Sequence, residues 1–109
     1  MKSALQDALD RTRDRDPRIR RSALLELCPC RVRSDIPIVW ERLLEMRSDP
    51  EASVRSIVLH SLCDGSPRSL ESEDIQALEG IANDPDRKLR CRARVTLAQY
   101  RKNGRVNVE

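Results

Sequence analysis

The sequence predicts an all-α fold, a short solenoid of three tandem helix hairpins with six helices in all. The first observation is a turn-and-helix pattern that recurs at a spacing of 35 residues. The second is that apolar residues in each copy follow the three- and four-residue spacing of amphipathic helices. The third is that Phe is absent and Trp40 and Tyr100 are the only large aromatics. A stacked repeat suits this composition, because each unit buries only a thin apolar stripe against its neighbours.

The recurring pattern begins at an Asp just before a helix, and four of its columns hold in all three copies. The columns are Asp14, Asp49 and Asp84; Ile19, Val54 and Leu89; Arg20, Arg55 and Arg90; and Leu27, Leu62 and Leu97. We therefore predict one domain over residues 1–102, with repeats of about 2–35, 36–70 and 71–102. Residues 103–109 contain Gly104 and are expected to form a flexible C-terminal tail.

The first helix of each predicted repeat carries an apolar face. These helices are expected near 2–13, 36–47 and 73–82. Leu5, Trp40 and Ile75 share one column of the repeat, 35 residues apart. Ser72, which precedes an acidic and apolar run, is expected to be the N-cap of the third of these helices.

The second helix of each predicted repeat follows an Asp-Pro or Pro-containing turn. These helices are expected near 17–28, 51–63 and 87–102. Pro17 suits a first helical position, because its φ is already helical and its missing N–H is not needed there. Asp16, Glu51 and Asp86 place negative charge at the positive end of each helix dipole.

The outer repeats differ from the middle one at positions that would pack on a further repeat. The column of Leu24 and Leu59 continues as Arg94. The column of Met46 and Ile81 begins as Arg11. Polar residues at these positions are typical of capping units. The pattern therefore predicts a stack that ends at three repeats.

Composition narrows the class of protein. Charged residues make up 36% of the chain with both signs interspersed, and the net charge is +3, so the sequence resembles neither a uniform charged tail nor a disordered segment. No apolar run approaches membrane-spanning length, and no signal peptide is recognisable at the N-terminus. Four cysteines without such a signal predict reduced thiols and a cytoplasmic protein that does not contact membranes.

The triplicated Asp turn, followed by an aliphatic-Arg pair and spaced apolar residues, resembles the HEAT repeat family, and especially its compact bacterial members. The resemblance covers about residues 2–102. It implies a right-handed α-solenoid in which the second helices line a concave face. It also implies a ladder that joins Asp and Arg residues of adjacent repeats. The ladder residues would be Asp14, Asp49, Asp84, Arg20, Arg55 and Arg90.

On this basis we expect a non-catalytic scaffold that binds a protein or peptide partner on the concave face, works without a cofactor and is a monomer. The partner-binding residues are those that helical spacing places on that face and that neither pack nor join the ladder. They are Arg18, Arg21, Leu25, Ser53, Ser56, His60, Lys88, Cys91, Arg92, Val95 and Gln99. The alternative at this stage is that the same residues are simply solvated.

A second class of function is nucleic-acid binding, since nearly all the basic side chains are Arg. The candidate patch combines basic residues of the last helix with two from the first repeat: Arg87, Lys88, Arg92, Arg94, Arg101, Lys102, Arg18 and Arg21. Interleaved acidic residues and the lack of aromatics for base stacking weigh against it. Three further Arg residues are already assigned to the ladder.

Metal binding and catalysis have less support. The one set with metal-like composition is Cys28, Cys30, His60 and Cys63, whose spacing matches no standard zinc signature. Small buried cysteines explain the same residues without a metal. A single His excludes paired His sites, and no Ser or Cys nucleophile with a base and an orienting group can be assigned. We therefore predict that the protein is not an enzyme.

Overall fold

The computed structural model describes residues 3–27, 36–63 and 66–103, and these residues form six α-helices and no strand. The helices are α1 (Ala4–Arg11), α2 (Pro17–Leu27), α3 (Pro37–Glu45), α4 (Ala52–Cys63), α5 (Glu71–Ile81) and α6 (Arg87–Asn103). Two short 3₁₀ turns, Met46–Ser48 and Arg68–Leu70, lie at the end of α3 and before α5. The all-helical class predicted from the sequence is thus confirmed.

The helix starts follow from local side-chain chemistry. Ser3 caps α1 by accepting a hydrogen bond from the Gln6 amide at 3.1 Å. Asp16 accepts the amide of Arg18 at 2.9 Å, and Asp86 accepts the amide of Leu89 at 3.1 Å. These carboxylates satisfy amides that a helix N-terminus leaves without intrahelical partners.

One predicted helix start is wrong. Helix α5 begins at Glu71 with Leu70 as its N-cap, so Ser72 lies inside the first turn. The 3₁₀ turn of Arg68–Leu70 leads directly into the helix. Pattern alone missed this turn, because a 3₁₀ turn has no apolar period of its own. At the other end of the chain, Asn103 belongs to α6, and residues 104–109 lie outside the described residues.

The helices pack in three consecutive pairs, and the even-numbered helices also pack on each other. Helix α1 packs on α2, α3 on α4, and α5 on α6. Helix α2 also packs on α4, which in turn packs on α6, and α3 contacts α5. Two groups of buried apolar side chains lie between them, one around Leu24, Leu43 and Leu62 and one around Leu59 and Leu78.

The two apolar columns of the sequence occupy this interior with one exception. Leu27, Leu62 and Leu97 are all buried. Val54 and Leu89 are buried, whereas Ile19, 35 residues before Val54, is 36% exposed. The difference follows from the neighbouring helices. Val54 is covered by the helix pair that precedes its own, whereas no described helix pair precedes α1 and α2 to cover Ile19.

Candidate interaction surface

Two Arg–Asp pairs join turns that are one repeat period apart. Arg20 donates from Nε and Nη2 to the two carboxylate oxygens of Asp49, at 2.8 and 3.1 Å. Arg55 donates in the same way to Asp84, at 2.8 and 3.0 Å. Such forked pairs are both stronger and more directional than single hydrogen bonds. They hold the turn before α4 to α2, and the turn before α6 to α4.

Each of the three Arg residues is also anchored to its own turn. The Nη1 group of Arg20 donates to the Asp14 carbonyl at 2.9 Å, that of Arg55 to the Asp49 carbonyl at 2.7 Å, and that of Arg90 to the Asp84 carbonyl at 3.0 Å. The carboxylates close the turns, since Asp14, Asp49 and Asp84 accept the amides two residues later. The same geometry therefore recurs three times.

Protonation at the pairs reflects these contacts. Burial alone would raise the pKa of Asp84, but the hydrogen bonds and charge of Arg55, with the Asp86 amide, lower it below its usual value. The pKa values of Arg20 and Arg55 are raised, chiefly because each guanidinium bonds a carboxylate. The Arg55–Asp84 pair is therefore fully ionised at neutral pH.

A further contact between helices was not predicted. Arg42 of α3 donates to the Thr12 hydroxyl at 2.9 Å and to the Thr12 carbonyl at 3.1 Å. Thr12 is fully buried, and its hydroxyl donates in turn to the Leu9 carbonyl. The residues one period from Arg42 are Asp7 and Ala77, so no repeated column signals the contact.

Of the two positions predicted as end caps, Arg94 is exposed and Arg11 is half-buried. Arg94 is exposed and donates from Nε to the Ala82 carbonyl at 3.0 Å, whereas Leu24 and Leu59 are fully buried. Arg11 pairs with Asp7 at 2.9 Å and with Glu26 at 2.6 Å. Both Arg residues thus satisfy polar groups of their own helix pair.

The predicted partner-binding residues lie on the outer sides of α2, α4 and α6, which we call the second-helix face. Every one of them is exposed except Ser56, which is half-buried. On α4 the outward-facing stripe runs through Ser53, Ser56 and His60, because most of the intervening positions pack inward. Helices α2 and α6 flank α4, so the three stripes lie side by side.

Apolar and basic side chains are mixed on this face. Leu25 is 38% exposed and Val95 is 59% exposed, and they lie 35 residues before and after His60. Arg18, Arg21, Lys88 and Arg92 surround them, and no acidic residue belongs to the set. Arg18 is partly neutralised by Asp16, which it contacts at 3.1 Å.

The nucleic-acid patch is also exposed, and helix α6 has a marked charge bias. Its 17 residues include no acidic side chain. The patch residues of α6 and of α2 are all at the surface: Arg87, Lys88, Arg92, Arg94, Arg101, Lys102, Arg18 and Arg21. Trp40 is buried and Tyr100 is half-buried, so the described surface offers few rings for stacking on bases.

The candidate zinc set is only partly within the described residues. Cys28 and Cys30 lie outside them. His60 is exposed, and Cys63 is half-buried beside the Thr96 hydroxyl at 3.7 Å. In the portion of the chain that the structure describes, no three His, Cys, Asp or Glu residues are grouped as metal ligands would be. The absence of zinc remains a prediction.

A buried carboxylate at the start of α5 escaped sequence analysis. Asp74 is 1% exposed and accepts a hydrogen bond from the Ser66 hydroxyl, while its Oδ1 has no partner among the described residues. Burial raises the pKa of Asp74 to about 6, with smaller contributions from Glu71 and Glu73. Val39, one period earlier, is apolar, so the column gave no sign of a charged group.

Shallow grooves occur on the side of the odd-numbered helices. One, of about 340 Å³, lies between α1 and α3 and is lined by Leu9 and Ile38 with charged residues of both signs. Among the described helices, none combines the length and apolar character needed to cross a bilayer.

No family model matches this chain, and searches of curated proteins and of solved structures give no match either. Function is therefore inferred from geometry.

Proposed function

We propose that the chain is a HEAT-like solenoid of three helix hairpins that acts as a protein-interaction module through its second-helix face. The hairpins would be α1 with α2, α3 with α4, and α5 with α6. The side-by-side packing of α2, α4 and α6 supports this arrangement, as do the two ladder pairs one period apart. The smallest dimension of the molecule, 18 Å, suits two layers of helices that are each about 10 Å wide.

The observation that carries the binding proposal is the exposed row of Leu25, His60 and Val95 across three adjacent helices. Leu25 and Val95 are among the most exposed large apolar side chains described. Apolar side chains framed by polar ones are typical of protein-binding surfaces. Because the surrounding charges are basic, we propose a partner segment that carries apolar anchors flanked by Asp or Glu.

The test is affinity capture with matched variants. Leu25→Asp combined with Val95→Asp places two negative charges on the second-helix face without touching buried residues. Ile38→Asp on α3 is the control, since Ile38 is 52% exposed and lies on the opposite side of the hairpins. A protein captured by the native chain and by Ile38→Asp, but lost with the double variant, supports the proposal. Equal capture by all three contradicts it.

Nucleic-acid binding is the second candidate, favoured by the all-basic charge of α6. Fluorescence anisotropy with a labelled 20-nucleotide DNA at several salt concentrations separates the two functions. Phosphate-driven binding weakens steeply as salt rises, because counterions are released on binding. Capture through apolar anchors depends much less on salt. Tight DNA binding that is lost in Arg92→Glu with Lys88→Glu, but kept in Leu25→Asp, would favour this candidate.

A further inference from the structure

Within the described residues, the Arg–Asp ladder leaves one member unpaired at each end. Arg90 holds its own turn through Nη1 as Arg20 and Arg55 do, but its Nε and Nη2 have no carboxylate partner among the described residues. At the other end, the Asp14 carboxylate accepts the Asp16 amide at 2.8 Å but receives no Arg from the described part of the chain. One end of the ladder thus has guanidinium donors of Arg90 available, and the other end has the Asp14 carboxylate as an acceptor.

We propose that these ends bind each other between two copies of this chain, head to tail. Arg90 of one copy would pair with Asp14 of the next, as Arg20 pairs with Asp49 and Arg55 with Asp84. The inference rests on the stacked arrangement proposed above and is independent of the second-helix face. The fit needs no rearrangement of either turn, because the backbone anchor of the Arg and the closed Asp turn already exist at both ends.

The exposure of an apolar residue near Asp14 agrees with this pairing. Ile19 is 36% exposed, whereas Val54 and Leu89 in the same column are buried under the preceding helix pair. Helix α6 of another copy would supply the missing cover. A ladder pair formed there would be shielded from water as Asp49 and Asp84 are, since their side chains are only 7% and 6% exposed.

The position of Arg94 is also consistent with a second copy. Its guanidinium donates to the Ala82 carbonyl. Ala82 occupies the same column of the 35-residue period as Thr12, whose carbonyl accepts from Arg42. Asp7 is one period before Arg42, so a stacked copy would bring its Asp7 towards Arg94. Asp7 already pairs with Arg11 at 2.9 Å, and it would then lie beside Arg94 as well, so that opposite charges meet at this point. An Arg where the internal interfaces have Leu still reduces the apolar contact, so the association is expected to be weak.

Sedimentation equilibrium with charge-swapped variants tests the proposal. At low salt the native chain should show an average mass that rises above 12.5 kDa with concentration. Arg90→Asp alone and Asp14→Arg alone should each stay at the mass of one chain, because like charges would then meet at the joint. An equimolar mixture of the two should associate again. Both ends of one variant then carry acidic groups and both ends of the other carry basic groups, so the two variants can alternate along a stack.

The controls carry the same charge changes away from the ladder. Arg68→Asp and Glu41→Arg are both at exposed positions outside the ladder and the second-helix face, and they should associate as the native chain does. Circular dichroism checks that each variant is folded. If a swapped variant is unfolded, Asp14→Asn and Arg90→Gln replace it and should weaken the association without reversing charge.

A native chain that stays at one-chain mass at millimolar concentration overturns the proposal. So does a mixture of folded swapped variants that fails to associate, or association that Asp14 and Arg90 substitutions leave unchanged. Variants that lose this association but still capture a partner through the second-helix face would show that the two proposals are independent.

Discussion

Arg55 lies between two turns that are one period apart, donating to the Asp84 carboxylate at 2.8 and 3.0 Å and to the Asp49 carbonyl at 2.7 Å. One side chain therefore joins the turn before its own helix to the turn before α6. Arg90 makes only the second kind of contact, with the Asp84 carbonyl, among the described residues.

This difference predicts unequal costs of truncation. Arg55→Ala should lower the free energy of unfolding by about 1.5–3 kcal/mol, because it leaves the Asp84 carboxylate unpaired and mostly buried. Arg90→Ala should cost about 1 kcal/mol or less, since only one backbone contact is lost. Urea unfolding of both variants measures the difference. Equal and near-zero losses would show that the pairs add nothing to stability.

A second prediction concerns the stability of the folded chain in acid. The pKa of Asp84 is lowered in the folded chain, so its contribution to stability is complete above the usual Asp pKa and is lost as the pH falls through the lower folded value. Asp84→Asn should therefore destabilise the chain at pH 7, and the gap from the native protein should narrow in strong acid. Urea midpoints from pH 7 to pH 2 test this, with Glu79→Gln as an exposed control. A gap that is independent of pH contradicts the prediction.

Asp74 should behave in the opposite sense. Its folded pKa of about 6 lies above the ordinary value of 3.8, so the folded state binds the extra proton between these values and loses stability as the pH rises through them. Asp74→Asn removes the buried charge and should stabilise the chain at pH 8 by on the order of 1–3 kcal/mol. Below pH 4 the variant should gain little. Thermal unfolding at pH 4 and pH 8 checks this, and Glu41→Gln is the exposed control.

The end-cap columns give a paired prediction. Leu59 is fully buried, so Leu59→Arg places an unpaired charge in the interior and should unfold the chain. Arg94 is exposed in the same column, so Arg94→Leu should remain folded and promote end-to-end association. Circular dichroism and light scattering distinguish these outcomes. A folded Leu59→Arg variant, or an unfolded Arg94→Leu variant, would mean that the 35-residue alignment has the wrong register.

The period of the sequence was enough to predict much of the described architecture. Spacing located all six helices to within a few residues, and the aligned column of Leu27, Leu62 and Leu97 is buried in all three copies. These properties are local, because helix period, caps and prolines act within a turn or two of chain. The outward-facing stripe of Ser53, Ser56 and His60 followed from the same period.

The family resemblance implied that the Asp and Arg columns meet, but only the tertiary structure decided which individual residues pair. The repeated pattern aligns the Asp residues in one column and the Arg residues in another. That Arg20 pairs with Asp49, the Asp of the next copy, depends on the relative rotation of α2 and α4 and on the reach of the guanidinium. The Arg42–Thr12 contact and the burial of Asp74 occur once each in the described chain, so no period could reveal them. Sequence determined the helices and their apolar faces because both are set by neighbours along the chain. The long-range polar contacts are set by the packing of those helices, which only the three-dimensional structure provides.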